Sequence, residues 1–311
     1  MWKNETSLTD LFLEGLFDDS LAHVFLFSLT MVVFLVGVTG NSFTILLICA
    51  DSQLHTPMYF LLSQLSLIDL VHVTTTIPKM AANYLSGRNS ISFVGCVAQH
   101  FLYLSAGGAE CVLLTLMSYD RYVAICHPLR YTVIMNRRVT VMMAAMSWLG
   151  GATNSLTHTT ILMQFPFCRS RKIRHFYCEF PAVVQLVCGD ISVYESTQFI
   201  STVLLFLVPI LLVSTSYAFI LRSVIQMRSA GSKRNAFATC SSHLTVVFLF
   251  FGACIFSYMR PRTQRTPLQD KVGAAFYSII TPSLNPLIYT LRNKDVAKSV
   301  RRVLGRDSIT H

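Results

Sequence analysis

Charged side chains are scarce in this chain. They make up 13% of its 311 residues, about half the share found in a soluble domain, which excludes an ordinary water-soluble globular protein. Carboxylates are the scarcer sign, 15 against 25 Lys and Arg, leaving a formal net charge of +10. That excess raises nucleic acid as a partner, yet no stretch interleaves dense Lys/Arg with aromatics as a binding face would, so no nucleic acid is expected. Signatures of catalysis are missing as well. There is no phosphate-binding Gly-rich loop, no zinc-protease helix motif and no Gly-x-Ser-x-Gly elbow, so nothing supports an enzyme.

Apolar residues are abundant instead, at 53% of the chain, and they fall in long blocks rather than short alternations. A bilayer core of about 30 Å needs roughly 20 helical residues. Seven nearly chargeless stretches of that length occur, at 23–49, 57–80, 97–121, 139–162, 196–221, 236–259 and 272–291, the fourth and seventh being the least apolar. The fold class expected is an all-α membrane protein, a seven-transmembrane helix bundle. Gly107, Gly108, Gly150 and Gly151 suit helices packed closely on one another. An extracellular N-terminus is expected over 1–22, the seven-transmembrane domain over 23–291, and a cytoplasmic tail over 292–311. In that tail Leu291, Val296, Val300, Val303 and Leu304 alternate with Lys294, Lys298, Arg301 and Arg302, the pattern of a short amphipathic interfacial helix on the inner leaflet.

The balance of Lys and Arg between alternating loops favours a cytoplasmic C-terminus only weakly. Asn4-Glu5-Thr6 is a glycosylation sequon, which places the N-terminus outside. No cationic region with a cleavable apolar stretch precedes it, so the first span is expected to be an uncleaved anchor in the plasma membrane. Of nine cysteines, Cys96, Cys168, Cys178 and Cys188 share the N-terminal side, where oxidising conditions favour two disulfides in any of three pairings. Cys49, Cys111, Cys126, Cys240 and Cys254 lie in spans or on the cytoplasmic side and should stay reduced. The run His175-Phe176-Tyr177-Cys178-Glu179 holds potential ligands for copper or zinc.

Two acids stand at mid-depth, Asp69 in the second span and Glu110 in the third, about 18 and 17 Å from the cytoplasmic ends of their helices. Ionisable groups there default to a functional reading. Facing one another, they would share a proton or hold a small cation, because both cannot ionise cheaply side by side. A proton-coupled transporter would use such a pair too.

Asp120-Arg121-Tyr122 at the inner end of span three occurs together with Asn285-Pro286-Leu287-Ile288-Tyr289 in span seven. Around them stand Gly40-Asn41, LHTPMYFLLSQLSLIDL from Leu54 to Leu70, MSYDRYVAICHPLRY from Met117 to Tyr131, Ser216-Tyr217, NAFATCSSHLTVV from Asn235 to Val247, and PSLNPLIYTLRN from Pro282 to Asn293. In this the chain resembles a rhodopsin-like G-protein-coupled receptor, and more narrowly a vertebrate odorant receptor. Two positions depart from the family pattern: Ser118 replaces an alanine, and Phe251 removes a hydroxyl expected at the pocket floor.

The resemblance implies a receptor that binds small, mostly apolar molecules within the bundle and activates a heterotrimeric stimulatory G protein to raise cyclic AMP. It pairs Cys96 with Cys178 and Cys168 with Cys188, leaving His175 and Glu179 as loop polar residues with no metal. Arg121 pairs with Asp120 beside Tyr122 at rest and is released on activation. Tyr217 and Tyr289 resemble inner-end switch tyrosines, and Pro286 kinks span seven beside Asn285. No cofactor is required, with a sodium ion as the candidate occupant of Asp69 and Glu110. Ligand is expected against Tyr103, Leu104, Gly107 and Gly108 of span three, at helical spacing above Glu110. Ser201 and Leu205 of span five, Phe251, Cys254, Ile255 and Tyr258 of span six, and Ser278 of span seven should face them. Such a lining has no charge to anchor an amine, so selectivity should rest on shape, burial and one or two hydrogen bonds. The rivals are a receptor of this fold for a non-odorant metabolite and a transporter or channel. Against the latter, there are no repeated half-sequences and no matched broken helices.

Overall fold

A computed structural model describes residues 10–16, 23–168, 170–258, 266–291 and 294–303. Its long helices are α1 (His23–Ala50), α2 (Pro57–Ser86), α3 (Phe93–Cys126), α4 (Arg137–Gln164), α5 (Ser192–Gln226), α6 (Ala230–Tyr258) and α7 (residues 267–291), followed by the short α8 (Lys294–Val303). They coincide with the seven expected spans and run past most of the expected ends, by at most six residues. Helices α1, α2, α3, α5 and the Cys240–Ser257 part of α6 are long and apolar enough to cross a membrane. Helix α4 is less apolar because it turns Ser147, Ser155 and His158 inward, all buried. The Ser155 hydroxyl, for example, donates to the Phe101 carbonyl of α3 at 2.7 Å.

Helix ends follow local chemistry. The Ser92 side chain caps α3 by accepting from the Gly95 N–H at 3.1 Å, and Asn136 caps α4 in the same way through Val139. Helix α2 stops at Gly87, whose φ of 65° is left-handed. Inside α5 and α7, residues 203–207 and 276–280 form wider π turns, and Pro209 follows the first of these, where its missing N–H costs least. Helices α1 and α7 meet at Gly40, where a Cβ would lie 2.9 Å from Pro286 Cγ. There Asn41 donates to the carbonyls of Gly37 and Pro282 at 2.9 and 3.0 Å, stitching the two helices together.

One element is absent from the sequence reading. Strand β1 (Leu11–Leu13) pairs antiparallel with β2 (Ser90–Ile91) and parallel with β3 (Lys172–Ile173). Leu11 and Leu13 are buried and Phe12 is exposed, so the N-terminal segment docks on the long loop between α4 and α5 by the two-residue period of a strand. Three residues are too few for that period to stand out in sequence. The loop itself is tied by Cys96–Cys178 and Cys168–Cys188, with Cα separations of 5.4 and 6.0 Å. The other five cysteines are free.

Helix α8 differs in detail from the expected interfacial helix. Val296 and Ser299 are buried and Val300 packs on the core, whereas Val303 is exposed. Arg302 does not join the outward cations: its guanidinium donates to Asp51 Oδ2 at 2.6 Å and Gln53 Oε1 at 2.5 Å. The Ser299 hydroxyl, the Gln53 backbone N–H and that guanidinium hold the Asp51 carboxyl down at about 2, so the clamp on the α1–α2 turn stays charged at any cellular pH. Leu304 and Asn4 lie outside the described residues.

Candidate functional site

Helix α3 crosses the centre of the bundle, and the residues one and two turns above Glu110 face a cavity of about 120 Å³. Of the expected lining, Tyr103, Leu104, Gly107, Gly108, Ser201, Leu205 and Cys254 are there. Three expected residues are not. Phe250 lines the cavity in place of Phe251, which is buried behind it with its ring edge against Phe206, centroids 5.6 Å apart. Phe250 and Cys254 are four residues apart on one face, so Ile255, one further residue or about 100° round the helix, is 41% exposed and faces outward. In α7 the π turn resets the phase, bringing Tyr277 to the cavity and leaving Ser278 fully buried away from it. The side chain of Tyr258 lies outside the described residues.

The lining also includes a carboxyl group that the expected lining lacked. Glu179 of the α4–α5 loop is no solvated loop residue; it is 5% exposed and forms part of the cavity wall. Its Oε1 accepts from the Tyr277 hydroxyl, and its Oε2 lies 2.9 Å from Nε2 of the buried His175. Tyr177 reaches Tyr277 through their hydroxyls at 2.8 Å. Both carboxylate oxygens are therefore engaged inside the protein. The sequence alone offered little signal here, because His175 and Glu179 are brought to this place by long-range contacts of their loop, the Cys96–Cys178 bond and the Gln99 side chain among them.

Across the cavity, α4 and α5 form a polar wall that sequence reading reduced to Ser201. The Ser201 hydroxyl donates to Asn154 Oδ1 at 2.8 Å, and His158 Nε2 lies 2.8 Å from Ser201 Oγ. Gln198, one turn before Ser201, accepts from the Tyr194 hydroxyl at 3.3 Å.

Below the cavity, Asp69, His72 and Glu110 present side-chain atoms all within 4.8 Å of one another. His72 Nδ1 is 3.4 Å from Glu110 Oε2, and Asn285 donates to both oxygens of Asp69 at 3.1 and 3.0 Å. His72 escaped the sequence reading although it follows Asp69 by three residues, a spacing that shares a helix face. It also lines the cavity, so one imidazole touches both the cavity and the acid pair.

At the inner end Arg121 donates twice to Asp120 Oδ2, once from Nε at 3.0 Å, and the Tyr131 hydroxyl donates to Asp120 Oδ1 at 2.7 Å. Asp120 is 1% exposed. Tyr122 turns aside toward His127, hydroxyl to Nε2 3.2 Å. Tyr217 bonds Nδ1 of His243 at 2.7 Å with the rings stacked. The buried Tyr289 hydroxyl makes no hydrogen bond among the described residues. The acid and the arginine are thus together, while neither Tyr217 nor Tyr289 bonds the arginine among the described residues.

The profile of the family described as Olfactory receptor matches residues 30–307. Olfactory receptor 2AE1 of Homo sapiens is 76% identical over 311 residues, covering 100% of this chain and 96% of its own length. Olfactory receptor 2T1 of Homo sapiens is 52% identical over 98% of this chain and 83% of its own, and Olfactory receptor 2M2 of Homo sapiens 50% over 98% and 88%. Seven helices in the expected order, a cavity above a buried acid pair and these matches along the whole chain place it in a receptor family rather than an enzyme family: it belongs to the olfactory receptors, rhodopsin-like multi-pass membrane proteins that take odorants and couple to G proteins.

Proposed function

We propose that the odorant binds in the cavity between α3, α4, α5 and α6, and that occupancy drives release of Arg121 toward a stimulatory G protein and raises cyclic AMP. The observation that carries this reading is His72, which lines the cavity and lies 3.4 Å from Glu110, so a ligand that moves it alters the polar centre beneath. A sodium ion suits that centre. Two carboxylates supply hard oxygen donors, and the Glu110 Oε1 atom is buried without a partner among the described residues. The ion would be held by Asp69 and Glu110 and would balance their charge in the resting bundle, so replacing external sodium with choline should raise ligand-independent cyclic AMP. Unchanged basal signal would leave the acids as neutral packing groups. The N-terminus is assigned to the outside and the tail after Tyr289 to the cytoplasm, in keeping with two disulfides on the N-terminal side.

Gly107 is the position at which to test the cavity. A Cβ there would meet only His72 Nε2, at 3.8 Å, whereas at Gly108 it would come within 2.9 Å of Gly151 Cα, so enlarging Gly108 disturbs helix packing as well as the cavity. Gly107→Leu should abolish the response to every activating volatile while an N-terminal tag still stains intact cells at wild-type level. An unchanged dose response would place the ligand elsewhere, and staining of a C-terminal tag on intact cells would reverse the orientation.

A further inference from the structure

We infer that the cavity selects a neutral carbonyl compound of about five to seven heavy atoms, whose oxygen accepts hydrogen bonds from the side-chain amides of Asn154 and Gln198. The inference rests on the cavity reading above. Its size follows from volume: an engineered cavity of roughly 150 Å³ holds benzene, and this one measures about 120 Å³.

Its polarity follows from which hydrogen-bonding atoms the protein already uses. Asn154 Oδ1 accepts from Ser201, and Gln198 Oε1 accepts from Tyr194. The Thr202 hydroxyl, on the same wall, donates to the Gln198 backbone carbonyl at 2.8 Å. Both amide oxygens and the protons of these three hydroxyls are thus engaged within the protein. Neither amide nitrogen makes a hydrogen bond among the described residues, and both residues line the cavity. The wall therefore offers N–H donors, and a carbonyl oxygen has two lone pairs and no proton of its own.

Charged ligands fit poorly. An ammonium would need a free carboxylate, and Glu179 is held on one oxygen by Tyr277 and faced on the other by His175. A carboxylate ligand would need a cation, and neither Lys nor Arg lines the cavity; His72, His100 and His158 do, and one of these imidazoles would have to take up a proton inside the bundle to serve. Burial of either ion unpaired is costly. An alcohol can accept from the amides, but both amide oxygens are taken and its own O–H must reach across to the Tyr103 hydroxyl, which lines the cavity and has no partner among the described residues; an alkene of the same shape accepts nothing. The remaining walls, Leu104, Leu205, Phe206 and Phe250 among them, take the hydrocarbon body.

The test uses one carbon skeleton with four heads: cyclohexanone, cyclohexanol, methylenecyclohexane and cyclohexylamine, read by a cyclic AMP reporter in cells expressing the whole receptor. Cyclohexanone should act at the lowest concentration, with methylenecyclohexane at least about tenfold weaker, the scale of one or two hydrogen bonds left unmade. Asn154→Ala and Gln198→Leu should each erase most of that preference at normal surface staining. Gln198→Leu leaves the Asn154–Ser201–His158 chain in place, so it remains informative if Asn154→Ala fails to reach the surface. A panel led by the alcohol, amine or alkene, or a ketone preference untouched by Gln198→Leu, overturns the carbonyl assignment. Silence of all four probes overturns it too. Gly107→Leu separates the two readings. A response that it silences but that the ketone does not lead refutes the ligand class alone, and a response that survives it refutes the cavity.

Discussion

Alanine at Gly151 should remove the receptor from the cell surface. Helices α3 and α4 touch backbone to backbone at this point. A Cβ on Gly151 would lie 2.5 Å from the Ala109 nitrogen and closer still to the Ser105 carbonyl oxygen. Neither is the end of a flexible side chain, so one helix must shift. Helix α3 packs against α2, α4 and α5, and moving it disturbs most of the bundle core. Overpacking a well-filled interior costs about 1–3 kcal/mol even when side chains can yield; here backbone must move, against a total stability of roughly 5–15 kcal/mol. Close approach through small residues is also a main source of helix association in lipid. Surface staining of Gly151→Ala should fall to background while total protein remains detectable. Gly150→Ala is the control, since its Cβ would meet only Val112 Cγ2 at 3.7 Å, and it should stain normally. Wild-type staining of Gly151→Ala would show that the two helices are not in this contact in the cell.

The second large effect is expected at Asp120 and Arg121. In the structure the buried Asp120 holds Arg121 on one oxygen and Tyr131 on the other, the form that the proposed switch would take at rest. Hydrogen bonds to a charged partner contribute about 1.5–3 kcal/mol, so weakening them should shift the equilibrium toward a released arginine by roughly 10- to 100-fold. Asp120→Asn should accordingly raise ligand-independent cyclic AMP severalfold or more. Arg121→Ala removes the group that is released, and odorant-driven cyclic AMP should drop to background. It also strands Asp120 with Tyr131 alone, and an uncompensated buried charge destabilises. The double variant carrying Asp120→Asn and Arg121→Ala should therefore stain at least as well as Arg121→Ala, yet remain silent. Full signalling by either arginine variant would remove Arg121 from the switch.

Much of this molecule could be read from residues near one another in sequence. Near-absence of charge over seven stretches of about 20 residues compels buried backbone to close its own hydrogen bonds as helices, and the helices appear where those stretches lie. Asp69 and Glu110 announced themselves because an acid in that setting is costly, and they do lie together. Val296 and Val300 announced one face of α8 by their spacing, although the spacing could not show that this face packs on the core, that Val303 is exposed or that Arg302 reaches back to Asp51. Other features were beyond local pattern. Whether Phe250 or Phe251, Tyr277 or Ser278, lines the cavity depends on helix rotation, which a π turn or a neighbour's bulk resets without changing hydropathy. Glu179 becomes a wall of the cavity because a disulfide carries its loop to the head of α3. Which atom of Asn154 is left to meet a ligand depends on Ser201, 47 residues away. Hydropathy and spacing determine which segments are helices, because backbone satisfaction is local. The phase of each helix and the engagement of each polar atom are decided by contacts between segments distant in the chain, and those contacts exist only once the bundle has closed.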